Sequence, residues 1–171
     1  MKKSVLVRAP LVTMSGYGVH SRQICKWALG RSDFKVSTQI LPWGMTPWNL
    51  NLEAENGLIG KAIERSINPE NTKSDITVQV QLPDEWDPKL GKVNIGITAG
   101  VEADRCNPEW VDKCNQMTAV VVPSEFTKKV LLDTGNIRTP IHVIPETYHK
   151  SVENKDLQAL DLDLSTIEVS S

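Results

Sequence analysis

The residues able to do chemistry stand just after short β-branched runs. Glu102 follows the apolar run 93–97 and the small-residue turn Thr98-Ala99-Gly100-Val101. A single carboxylate on such a turn projects into a cleft; its other reading is a cap or an ion pair with Arg105, and Asp104 is less favoured. Ser15-Gly16-Tyr17-Gly18 opens a helical pattern. Two glycines there let backbone amides approach a ligand, and a helix N-terminus favours an anion. The competing reading is a tight strand-to-helix turn that needs φ > 0. His20, in the first turn of that helix, is placed to hydrogen-bond a hydroxyl or a phosphate. Trp43, Trp48 and Trp86 stand in proline-rich loops near strand ends. Flat indoles stack on the C–H faces of sugars and donate N–H to hydroxyls; otherwise they pin long loops to the domain.

Several chemistries are excluded by spacing. A dinucleotide fingerprint needs a third glycine where Ser21 stands and an acid where the chain reads Gln39-Ile40-Leu41. There is no phosphate loop ending in Gly-Lys-Ser/Thr and no zinc-spaced His/Cys cluster. Ser124 follows Pro123 without a nucleophile elbow, so it reads as a helix cap. Trp27 and Trp110 lie on helical stripes and are expected in the core, as are Cys25 and Cys114. Arg22 and Lys26 are i, i+4 neighbours on a solvated face.

Elements alternate in a way that fixes the fold class. Strands are expected at 5–7, 36–40, 76–81, 93–97, 119–122 and 141–144, short β-branched runs as in parallel sheets buried on both faces. Helical periods occupy 17–29 and 53–67, the second with Ile59, Ala62, Ile63 and Ile67 as its stripe. A third helix has Asn107 as N-cap, Pro108 at its first position, and Trp110, Val111 and Cys114 as its apolar side. A fourth runs from the Ser124 cap to Gly135. The segment 82–92 has no helical period and is an irregular crossover. The pattern is α/β, a Rossmann-like doubly wound, mostly parallel sheet. Its ligands belong beyond the carboxyl ends of the strands.

Composition bounds the partners. The chain has 171 residues, 40% apolar and 23% charged, with net charge −2, so nucleic acid is not an expected partner. Residues 1–70 carry nine Lys/Arg against five Asp/Glu, and residues 71–171 ten against sixteen. The basic half would make at most a weak peripheral membrane contact or meet an anionic acceptor. Three cysteines without a Cys-x-x-Cys pair suggest reduced thiols and a cytoplasmic location. Residues 1–148 form the expected domain. The polar segment 149–171, with Leu160-Asp161-Leu162-Asp163-Leu164, is an edge strand, a docked tail or a linker; its Asp-x-Asp is explained by solvated alternation.

Taken together, Gly100-Val101-Glu102, Pro108, Trp110, Cys114-Asn115, Val122-Pro123-Ser124-Glu125-Phe126 and Pro140-Ile141-His142-Val143-Ile144-Pro145-Glu146 resemble the N-terminal domain of GT-B glycosyltransferases. The subgroup is the retaining glycosyl transferases of group 1, family 4-like. The resemblance covers residues 4–148 and is specific as an ensemble. It implies transfer of a hexose from a nucleotide-sugar donor to an acceptor, with no cofactor and no obligate metal. It also implies a partner: a C-terminal domain, or another chain, that holds the donor through two glutamates eight positions apart. No pair of glutamates here has that separation. The resemblance places a cleft acid at Glu102 and a ligand-facing glycine-rich loop at Ser15–Gly18. The competing class is a Rossmann-like module that binds glycan or nucleotide without turnover.

Overall fold

A computed structural model describes residues 2–68 and 73–148. The expected tail at 149–171 lies outside the described residues. Six strands form one parallel sheet: β1 (Lys3–Ala9), β2 (Phe34–Ile40), β3 (Ser74–Val80), β4 (Gly91–Ile97), β5 (Ala119–Val122) and β6 (Ile141–Val143), in the order β2-β1-β3-β4-β5-β6. Four helices join them: α1 (Gly16–Leu29), α2 (Ala54–Glu64), α3 (Glu109–Gln116) and α4 (Glu125–Thr134). The β3–β4 crossover is irregular, with one 3-10 turn at Pro83–Glu85, as its prolines dictate. The fold is the expected Rossmann-like α/β sheet.

Register sorts the side chains into two faces. Val5, Val36, Ile76 and Val93 share one face because parallel partners point the same way. On that face α1 and α2 bury Val5, Val7, Ala9, Val36 and Val78 together with Cys25, Ala28, Leu58 and Ala62. On the opposite face α3, α4 and the β3–β4 crossover bury Val120 and Val122 with Trp86, Trp110, Cys114 and Leu131.

The end of α2 departs from the expectation. The helix stops at Glu64 and Ser66 bridges Thr38 in parallel. Thr38 N donates to Arg65 O and Ile67 N to Thr38 O, both at 2.9 Å. Ile67 therefore leaves the helical stripe and stands 36% exposed at the sheet edge. Counted as a strand, this piece makes the order 3-2-1-4-5-6-7. The chain direction reverses its progress between β1 and β3, the switch point where open α/β sheets bind ligands.

The start of α2 also differs. Glu55, Asn56 and Gly57 have φ of 52°, 58° and 77°, so the regular helix begins at Leu58. Two non-glycine residues in the left-handed region cost on the order of 1–3 kcal/mol each. Arg22 holds the turn: it is buried, pairs with Glu55 and donates from Nη1 to Leu11 O at 3.3 Å and Thr13 O at 2.9 Å. Arg22 is thus a brace between loops, not a solvated partner of Lys26.

The thiols are all free and buried. Burial pushes the Cys25 thiol up to about 11 and the Cys114 thiol up to about 12, from an ordinary 9.0. The native state thus retains protons that the unfolded chain releases. This contribution is complete below pH 9 and is lost as the pH rises toward 11 and 12. Urea midpoints should fall across pH 9–11 in the native protein. The decline should be shallower in Cys25→Ala and Cys114→Ala, each measured against its own midpoint at pH 7.

Candidate functional site

Four strand-end loops meet at the carboxyl edge of the sheet, around Tyr17. The loop after β1 and the loop after β2 are zipped together: Thr13 bridges Trp48 in antiparallel fashion, Met14 N donates to Pro47 O at 2.9 Å, and Asn49 N to Val12 O at 2.7 Å. The Tyr17 ring stacks on Trp43 with centroids 4.0 Å apart and planes at 21°. Its hydroxyl lies 3.1 Å from Thr98 Oγ1 and accepts from Ala99 N at 2.9 Å, which ties α1 to the loop after β4. Burial raises the Tyr17 hydroxyl pKa; its hydrogen bonds with Thr98, Ala99 and Gly100 oppose that, and the Glu146 charge adds to the rise. The loop after β6 is tied to α1 as well, since Gln23 Nε2 donates to Thr147 O at 2.8 Å.

The mouth of α4 packs onto this assembly. Ser124 Oγ accepts from Thr127 N at 3.1 Å, a cap as expected. Thr127 Oγ1 donates to Ala99 O at 3.2 Å. Gly100 has φ of +78°, and a Cβ there would stand 2.5 Å from Thr127 Cγ2, so both the backbone turn and the close approach require glycine.

The sequence candidates separate on these contacts. Ser15 is the N-cap of α1, accepting from Gly18 N at 3.0 Å. Gly16 opens α1 with nothing within 4 Å of where a Cβ would stand, so its backbone is open to a ligand. Gly18 is different. A Cβ there would fall 2.1 Å from Thr13 O and 2.7 Å from Thr13 Oγ1, and its amide is already bound. Neither glycine has a positive φ, so the turn reading fails for both. Gly18 is a packing glycine, and its place in the ligand-facing loop is corrected accordingly.

Trp86 is also corrected. It is 3% exposed, sits in the α3–α4 core and presses on Gly96, where a Cβ would meet its ring at 2.6 Å. It offers no face to a sugar. Trp27 errs in the other direction: expected in the core, it is 56% exposed on α1, edge-on to Phe34 at 5.8 Å. Trp43 is half-buried beneath Tyr17, and Trp48 is 49% exposed on the rim. His20 lines an apolar cavity between α1 and the sheet, its Nδ1 buried without a partner. Glu102 is exposed and forms no ion pair with Arg105 or other described residues.

Two features were missed. Glu146 lies in the strand-end loop 145–148, where no spacing singles it out, so the reach of its charge to Tyr17 needs the topology. Arg8, near the carboxyl end of β1, reaches Gln39 Oε1 at 3.0 Å, Glu85 O at 2.7 Å and Gln81 Oε1. Through Nε and Nη1 that guanidinium pins the β3–β4 crossover to β2 and β3. A strongly shifted carboxyl does not mark the site either. Asp75, held well below the usual carboxylate range by Lys92 and by Ser4, lies at the amino end of the sheet.

Removing the Tyr17 hydroxyl should loosen this corner without emptying it. Tyr17→Phe keeps the stack on Trp43 and leaves Ala99 N without its acceptor. A cost of about 1 kcal/mol is expected for one lost hydrogen bond at a partly solvated site, readable as a lower urea midpoint at unchanged m-value.

Among the described residues no helix is long and apolar enough to cross a membrane. No protein-family model, no curated protein and no solved structure matches this chain.

Proposed function

We propose that this chain is the acceptor-side half of a sugar-transfer site, the N-terminal domain of a retaining GT-B glycosyltransferase. What supports the reading most is the meeting of four strand-end loops on Tyr17 beside the switch point, with Gly16 and Glu102 left open on the rim. Such a rim suits an acceptor hydroxyl near Glu102 and a phosphate near the α1 mouth, where helix amides favour negative charge. Trp48 offers an exposed aromatic face to a sugar ring, and Trp43 holds Tyr17 in place from beneath. The hexose would pass from the diphosphate of a nucleotide sugar to the acceptor. The base and ribose would be held by a second domain or a partner chain, and neither a cofactor nor an obligate metal is required.

The competing reading is a glycan- or nucleotide-binding module without turnover. It is favoured by the same openness, since one wall alone cannot position donor against acceptor. Both readings predict that the 171-residue protein releases no nucleoside diphosphate from nucleotide sugars at an appreciable rate. Release abolished by Glu102→Ala would overturn the half-site reading. Ligand-observed NMR separates the two. Weak hexose binding with weaker nucleoside diphosphate binding is expected, because a half-formed pocket buries little ligand surface. Tight nucleotide binding with no sugar response would give the site to the nucleotide-binding module.

A further inference from the structure

The loops after β1 and β2 form a ribbon without charge. No Lys, Arg, Asp or Glu occurs from Ala9 to Ser21 or from Val36 to Leu52. The contacts between Thr13 and Trp48, Met14 and Pro47, and Val12 and Asn49 zip the two stretches together. The ribbon nevertheless stands in solvent. Met45 is fully exposed, Met14, Leu50 and Leu52 are each more than half exposed, and Trp48 is half exposed. Met45 follows Gly44, whose φ is +51°, and Thr46 closes the turn by donating to Trp43 O from its hydroxyl at 2.6 Å and its amide at 3.2 Å. The tip is therefore fixed in shape and apolar. Large apolar side chains exposed together, with no charge among them, mark an interaction surface.

The chemistry of the ribbon chooses its partner. Protein interfaces orient their partners with charged and hydrogen-bonding groups, and the ribbon has no charge to offer. Much of its backbone polarity is met from within. Leu41 N donates to Ala9 O at 3.0 Å and Asn49 N to Val12 O at 2.7 Å. Asn51 N donates to Asn49 Oδ1 and Glu53 N to Asn51 Oδ1, both at 3.1 Å, and Pro42 and Pro47 have no N–H. A lipid phase suits such a segment, because nothing there can bond a free N–H. The side chains fit the same partner: an unbranched methionine leads, flanked in sequence by the less exposed indoles of Trp43 and Trp48, and indoles settle at headgroup level. The first charges after Leu52 are acidic. Glu53 is exposed and Glu55 pairs with Arg22, so anionic headgroups gain nothing from them.

We propose that this ribbon docks the domain on a membrane: Met45 leads, and Met14, Trp48, Leu50 and Leu52 follow, into the headgroup–acyl boundary of a zwitterionic bilayer. Insertion to about 5–10 Å removes these side chains from water and leaves the domain peripheral. One loop pair gives weak, reversible attachment, with the carboxyl edge of the sheet held against the lipid surface. The contact is made by apolar side chains and not by the basic charge of the N-terminal half, so it needs neither anionic lipid nor low salt. This inference stands apart from the sugar-transfer reading, since it concerns the surface on which the rim rests and not what the rim turns over.

Flotation of the 171-residue protein with phosphatidylcholine vesicles tests it. The protein should float with the vesicles to the same extent at low and high salt, and no better when phosphatidylglycerol is added. Met45→Asp should lower the partition coefficient at least tenfold, and Leu50→Asp likewise, since each sets a carboxylate in the apolar layer. Leu132→Asp, at an exposed apolar position on α4, should leave it unchanged. The urea midpoint of Met45→Asp should match that of the native protein, because the side chain is fully exposed. Equal flotation of the native and Met45→Asp proteins would remove the ribbon from the contact. Flotation that requires phosphatidylglycerol and fades with salt would give the contact to the basic residues. A native protein that does not float at all would overturn the proposal. A dimer in sedimentation without lipid, dissociated by Met45→Asp, would give the ribbon to a second copy.

Discussion

Trp86→Ala should cost about 3–5 kcal/mol, the range for emptying a buried aromatic site. That is a large part of a typical domain's 5–15 kcal/mol. Trp86 closes the core between the β3–β4 crossover and α3, and its ring comes so close to Gly96 that no Cβ fits between them. Two effects compete in the milder change Trp86→Phe. Volume is lost, but the buried Nε1, which has no hydrogen-bond partner, is removed with its desolvation cost. Trp86→Phe should therefore cost much less than Trp86→Ala. The atoms nearest Gly96 belong to the six-membered part of the indole. Gly96→Ala should accordingly be severe in the native background and partly relieved by Trp86→Phe, a coupling readable in a double-mutant cycle. Full stability in Trp86→Ala with loss of sugar binding would reverse the assignment and return Trp86 to the site.

Gly18→Ala should cost about 3 kcal/mol, at the upper end for overpacking. The intruding carbon would meet a backbone carbonyl, Thr13 O, at 2.1 Å. That carbonyl has little freedom to yield, because Arg22 holds it and Thr13 is bridged to Trp48. Gly16→Ala should leave stability unchanged or raise it by a few tenths of a kcal/mol, since alanine is the better helix former and the space is empty. The pair separates packing from binding: urea midpoints should differ sharply between them. Of the two, Gly16→Ala is the variant that reports on ligand without disturbing the fold. A Gly18→Ala protein as stable as the native one would remove the zipped loops as the frame of the site.

Six strands and four helices were legible in the sequence because short β-branched runs and capped amphipathic stretches are local signals. The Ser124 cap and the irregular 82–92 crossover are of this kind. The two tryptophans were misread for one shared reason. Trp27 sits on a helical stripe and Trp86 in a proline-rich loop, but burial depends on which sheet face has a cover. Neither helical period nor loop composition carries that information. Gly16 and Gly18 look alike in sequence and differ only in what stands opposite, a carbonyl supplied by Thr13. The left-handed turn at Glu55 was illegible because glutamate does not favour it, although Asn56-Gly57 does; Arg22, 33 positions from Glu55, pairs with it there. At the carboxyl edge, the loops that form the rim followed from the alternation of strands and helices. Tyr17 as their common point required distances across the crossovers.

The Ser66 bridge has a consequence for how the molecule behaves in a crowd. An open parallel sheet ends in two rows of unpaired amides and carbonyls, each a template for a foreign strand. Beside β2, residues 65–67 occupy part of that row. At the other end β6 offers only three residues, Ile141–Val143, set between Pro140 and Pro145, and proline cannot extend a ladder. Both borders are thus blunted against fibre growth. Any self-association of this protein on concentration should proceed face to face through side chains, slowly and reversibly, and not by the edgewise zippering that makes sheets precipitate.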